Sequence, residues 1–136
     1  MNQTPTQPKF EILFTTVAGI QYSVTVENRP EQDGSRHWVT VSKYQPEIDY
    51  WQLTISESVC DCDEPMEAIK TAFKLQRNHM CRWLDSWRDH RFTAAREKGG
   101  KRGYYTKHAN AAHKWGMIYA EKWKLCRAIW KGITKL

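Results

Sequence analysis

Cys60 and Cys62, one residue apart, precede His79 and Cys81, and the four offer the sulfur and nitrogen donors that zinc takes in tetrahedral sites. The spacing argues against one shared ion. Structural zinc sites favour two residues between paired cysteines, and on a helix through this region His79 and Cys81 project about 160° apart. No metal is assigned, although a site using Cys60, Cys62 and one further donor stays open at this point. Cys81 and Cys126 otherwise read as small buried hydrophobes. Nucleophilic catalysis needs a thiol or hydroxyl beside a base. His79, His90, His108 and His113 supply bases, but no Gly-x-Ser-x-Gly elbow, phosphate-binding loop or His-Glu-x2-His pair accompanies them. Asp61, Asp63 and Glu64 resemble a cation site in composition only, and their place before a helix gives them a capping role. The expectation is a protein that is not an enzyme and takes no cofactor.

The remaining chemistry is cationic. Residues 1–65 hold four Lys/Arg against ten Asp/Glu, and residues 66–136 hold seventeen against five, so the net +6 divides into −6 and +12. Clustered Lys and Arg raise a potential that attracts phosphate or an acidic protein surface. Three groups of residues carry it. On a helical wheel Lys70, Lys74, Arg77 and Arg88 fall within about 60°, beside an apolar arc, as a row that can track phosphates. Arg96, Lys98, Lys101 and Arg102 surround Gly99, Gly100 and Gly103 and lead into Tyr104 and Tyr105, with glycines that let a backbone approach and rings able to stack on bases. Lys114, Lys124, Arg127, Lys131 and Lys135 gather on the far side of a second helix. Together they form an electrostatic footprint.

A charge run on a helix is commonly no more than a solvated face, and Lys and Arg are good helix formers there. Solvated faces, however, mix both signs and gain Glu–Lys pairs four apart, which this half largely lacks. The aromatic residues divide in the same way. Trp123 and Trp130 flank Arg127 at spacings that permit guanidinium stacking, whereas Trp at helical spacing ordinarily belongs to a core. Lys122 falls inside the apolar arc, so its stem must snorkel outward or the helix has a second working face.

The elements that position these residues follow from periodicity. After a loose tail at residues 1–8, Phe10, Ile12 and Phe14 alternate with polar neighbours, as do Ile20, Tyr22, Val24 and Val26 beyond Ala18-Gly19, which marks a hairpin. A polar stretch from Arg29 to Ser35 separates a third run, His37–Tyr44. In a fourth, Trp51, Leu53 and Ile55 share one side. From Pro65 the period becomes 3.6, with Ile69, Phe73, Met80, Trp83, Leu84 and Trp87 as the core arc. This helix runs toward Phe92 or Arg96 and breaks at 98–103. A second helix from about Thr106 to Ile133 buries Trp115, Ile118, Tyr119, Cys126, Ile129, Trp130 and Ile133.

The expected fold class is therefore α+β, a four-stranded antiparallel sheet followed by two long helices packed on one face. Residues 9–136 form a single domain, with the sheet in 9–59 and the basic helical part in 66–136. In element order alone, with no residue motif in common, the arrangement resembles the SecB-type export chaperone fold. No signal-peptide pattern occurs at Met1–Lys9 and no apolar run reaches the roughly 18 residues of a bilayer span, so the expected setting is cytoplasmic, with reduced thiols and no membrane partner. The expected function is non-catalytic binding of DNA or RNA, mainly through phosphate contacts of the basic helices. The alternative is a small protein-interaction module, an inhibitor or adaptor such as a phage or other mobile element encodes, docking its basic face on an acidic surface of a larger protein.

Overall fold

The computed structural model describes residues 10–31, 34–60 and 62–135. The tail at 1–8 lies outside them. Four strands, β1 (Phe10–Thr15), β2 (Gln21–Glu31), β3 (Gly34–Gln45) and β4 (Tyr50–Val59), precede two helices, α1 (Pro65–Arg96) and α2 (Gly100–Ile133). The strands pair in chain order as an antiparallel meander, and the two helices pack against each other. Chain contacts divide the molecule into two compact units. One comprises Met1–Ala72 with Ala128–Leu136, the other Phe73–Arg127.

In the first unit, alternation places Val24 and Val26 of β2 opposite Val41 and Val39 of β3, with Ile12 and Phe10 of β1 in the same rows. Val24, Val39, Val41 and Ile55 are almost wholly buried, as are Ala68, Ile69 and Ala72 of α1 and Ile129 of α2. These helix ends cover the Val24/Val39 face of the sheet. Gly132 lets α2 lie directly on the Phe14 ring, where a methyl group would collide. The start of α1 is fixed by Glu67, whose carboxylate accepts from the Asp63 amide at 3.3 Å, and by His37 Nε2 donating to the Cys62 carbonyl at 2.7 Å.

Three details differ from the periodicity. β4 carries a bulge opposite Val41/Ser42, with Val41 paired to Ile55 but Ser42 to Leu53. An extra residue reverses the facing of all that lies beyond it. Ile55 is thus buried, whereas Leu53 and Trp51 stand on the outer face at 57% and 40% exposure. Secondly, β2 and β3 stay paired as far as Glu31 and Gly34, so the polar stretch expected to separate them is mostly strand; Gln32 and Asp33 fall outside the described residues. Thirdly, the break between the helices is only residues 97–99. Within it Gly99 takes the left-handed conformation, at φ 68°. Gly100 and Gly103 belong to the first turns of α2. Counting three glycines as one non-helical stretch overstated the break, since only a positive φ demands glycine.

Among the described residues no helix is long and apolar enough to cross a membrane.

Candidate nucleic-acid interface

The second unit, Phe73–Arg127, is an antiparallel helical hairpin whose seam is a ladder of rings. His79 meets Tyr119 at 5.1 Å, Trp83 stacks on Trp115 at 6.2 Å, Trp87 meets His113 at 4.8 Å, and His90 stacks on His108 at 5.7 Å. Partners fall along α2 as they rise along α1, which fixes the antiparallel sense. Small residues fill the gaps between rungs: Ala94, Ala109 and Ala112 are buried, and a side chain on Gly116 would meet Leu84. Because rings and small residues occupy the seam, the long cationic side chains are left to the outer surface.

That surface is strongly and openly positive. Phe73–Arg127 contains fourteen Lys/Arg and four Asp/Glu, a net of +10. Lys74, Arg77, Arg88, Arg96, Lys98, Lys101, Arg102, Lys114, Lys124 and Arg127 are all exposed. Among the described residues, Arg88 is the one of the fourteen held by a carboxylate, Asp85 at 2.8 Å and one helical turn away. Exposed pairs of this kind are weak, roughly 0.3–0.5 kcal/mol, so a competing phosphate can displace Asp85. Lys70 and Lys131 are exposed as well but belong to the first unit, so the row foreseen on α1 is shared between the units.

Around the tip the structure gathers residues that the sequence showed singly. Gly99, Arg102, Gly103, Thr106, Lys107 and Asn110 line a shallow concavity of about 520 Å³. An added Cβ at Gly99 or Gly103 would find nothing within 4 Å, so the floor is bare backbone. Arg102, Lys107 and Asn110 offer donors around it, suited to a phosphate oxygen, whereas the Thr106 hydroxyl donates to the Arg102 carbonyl at 2.8 Å. Thr106, Lys107 and Asn110 were missed by reading along the sequence. The signal was there in the four-residue spacing of 102, 106 and 110 beside that of 99, 103 and 107, which forms two adjacent rows once the helix begins at Gly100.

The aromatic expectations resolve individually. Tyr104 is 59% exposed, whereas Tyr105 is half-buried and close to His90. Among the described residues the cation–ring contacts lie elsewhere than around Arg127: Arg96 covers Phe92 at 4.3 Å and Arg91 covers Trp87 at 5.4 Å. Lys122 is half-buried with its Nζ 4.9 Å from the Tyr119 ring, so it snorkels along an aromatic face as its place in the apolar arc required.

The cysteines do not converge. Cys81 is exposed, contrary to the expectation of a buried thiol, because it lies on the cationic side of α1 with Arg77 and Arg88. Cys126 is buried, and desolvation pushes its thiol up to about 12, which leaves it protonated and inert. Cys62 is buried in the first unit with Sγ directed at the Cys60 carbonyl, 3.4 Å away. Among the described residues no three His, Cys, Asp or Glu side chains are grouped to hold a metal ion.

Comparison with protein-family models, with curated proteins and with solved structures finds no match to this chain.

Proposed function

We propose that the helical hairpin binds nucleic acid without catalysis, mainly through the phosphate backbone. One observation carries this: a unit with a net charge of +10 leaves thirteen of its fourteen Lys and Arg exposed, all but Lys122, with Arg88 the one among the described residues held by a carboxylate. Concentrated like charge destabilises a folded unit by self-repulsion, and a polyanion relieves it. Phosphate contacts position a protein on a strand without reading bases, so affinity should vary little with sequence.

Trp115 and Met117, at 46% and 47% exposure on α2 near Lys114, favour a second reading. Exposed apolar groups among cations also suit a protein interface, and an inhibitor or adaptor docking on an acidic protein surface would use them. Charge reversal separates the tip from the body of the hairpin. Lys101→Glu/Arg102→Glu and Lys74→Glu/Arg77→Glu are titrated against a fluorescein-labelled 20-nucleotide strand, with helix content checked by circular dichroism. Each pair is expected to weaken binding at least tenfold at low salt, and unchanged affinity in both would refute the assignment.

A further inference from the structure

Resting on that phosphate-binding reading, we propose that the hairpin tip selects single strands by stacking an unpaired base on Tyr104. The ring is 59% exposed, yet it is held in place. It meets His108 edge-to-face at 4.3 Å and Tyr105 at 5.3 Å, with interplanar angles of 60° and 82°. Neither neighbour lies parallel to it. His108 in turn stacks on His90, whose Nδ1 donates to the Ser86 carbonyl at 2.8 Å, so the support runs back to the α1 backbone. A ring fixed before binding loses little freedom when a base arrives.

The surroundings suit a strand. Lys101 and Lys107, both exposed, lie three residues before and after Tyr104 and are its neighbours on the helix surface. A base on the ring would therefore have a cation within reach on each side for its flanking phosphates, the combination by which single strands are held. Phe92 provides the contrast. It is equally exposed at 59%, but Arg96 already lies over its ring. In a duplex both faces of each base are covered by neighbours, and opening a step costs a few kcal/mol, so Tyr104 gains only from unstacked bases.

Three labelled probes of equal length test this: oligo-dT, an abasic deoxyribose-phosphate strand, and a duplex. Each is titrated with the full chain and with its Tyr104→Phe and Tyr104→Ala variants. The full chain and Tyr104→Phe are expected to bind oligo-dT about tenfold or more tighter than the abasic strand. Tyr104→Ala is expected to remove that preference while leaving abasic affinity unchanged. Equal, salt-dependent binding of oligo-dT and the abasic strand by the full chain would overturn stacking and leave phosphate binding standing, as would an equal loss on all probes in Tyr104→Ala. Binding of no probe would overturn both.

Discussion

Gly103→Ala, Gly116→Ala and Gly132→Ala add the same methyl group at three places on α2, and the structure predicts a different result for each. At Gly103 the backbone is helical and an added Cβ meets nothing within 4 Å. Only the helix propensity changes, which favours alanine by about 1 kcal/mol. At Gly116 the Cβ would sit 2.6 Å from Leu84 Cδ2 and 3.0 Å from its Cγ. The end of that side chain can turn aside, so a strain of about 1–2 kcal/mol roughly offsets the propensity gain. At Gly132 the obstacle is the Phe14 ring, a rigid group that can yield only by moving strand or helix. A strain near 3 kcal/mol, less the same gain, leaves a net loss of about 2 kcal/mol. For a chain of this size 1 kcal/mol moves Tm by roughly 3–5 °C. Thermal unfolding followed at 222 nm should show Gly103→Ala a few degrees above the parent, Gly116→Ala near it, and Gly132→Ala some 6–10 °C below. A fall in Gly103→Ala would refute an open helical site there. A rise in Gly132→Ala would refute the seating of α2 on β1.

Further predictions concern the sheet, the thiols and the Arg88–Asp85 ion pair. Ile55→Ala should cost about 2–5 kcal/mol in urea unfolding, while Leu53→Thr should cost under about 0.5 kcal/mol, because the bulge puts only Ile55 in the core. A native thiol titration with a chromogenic disulfide should count two fast groups, Cys60 and Cys81, with Cys62 and Cys126 reacting only on denaturation. Cys126 has its thiol raised to about 12 in the folded chain against 9.0 ordinarily, so its contribution to stability is complete below pH 9 and is lost as pH rises toward 12. Cys126→Ala should flatten that alkaline loss in denaturant midpoints measured from pH 8 to 11. Asp85→Asn should leave Tm within about 2 °C and strengthen strand binding a few-fold by releasing Arg88.

The fold class was legible because both periods were unbroken where they mattered: alternation at Phe10–Phe14 and Tyr22–Val26, then 3.6 from Ile69 to Trp87. What escaped was local. A bulge leaves no mark in composition, so Trp51 and Leu53 were grouped with Ile55 although pairing turns them outward. Glycines at 100 and 103 look like punctuation, yet a helix of 34 residues absorbs their propensity cost. The cationic residues were legible as a set, since long charged side chains seldom enter a seam of rings. Their grouping was not, because the shallow concavity around Gly99 and Gly103 depends on where α2 begins. The histidines were weighed as bases and metal donors. Their ring contacts place His79 against Tyr119, His113 against Trp87 and His108 against Tyr104 in the hairpin.

Phosphate binding by the hairpin is the central claim, and the salt dependence of strand affinity tests it most directly. Fluorescence anisotropy of a labelled single strand, titrated at several salt concentrations, gives log K against log salt. Counterion release predicts a straight line of negative slope, about 0.7 for each phosphate neutralised, so four to six contacts around the hairpin give a slope near −3 to −4. A flat line, or no binding at the lowest salt, would contradict the account and direct attention to an acidic protein partner.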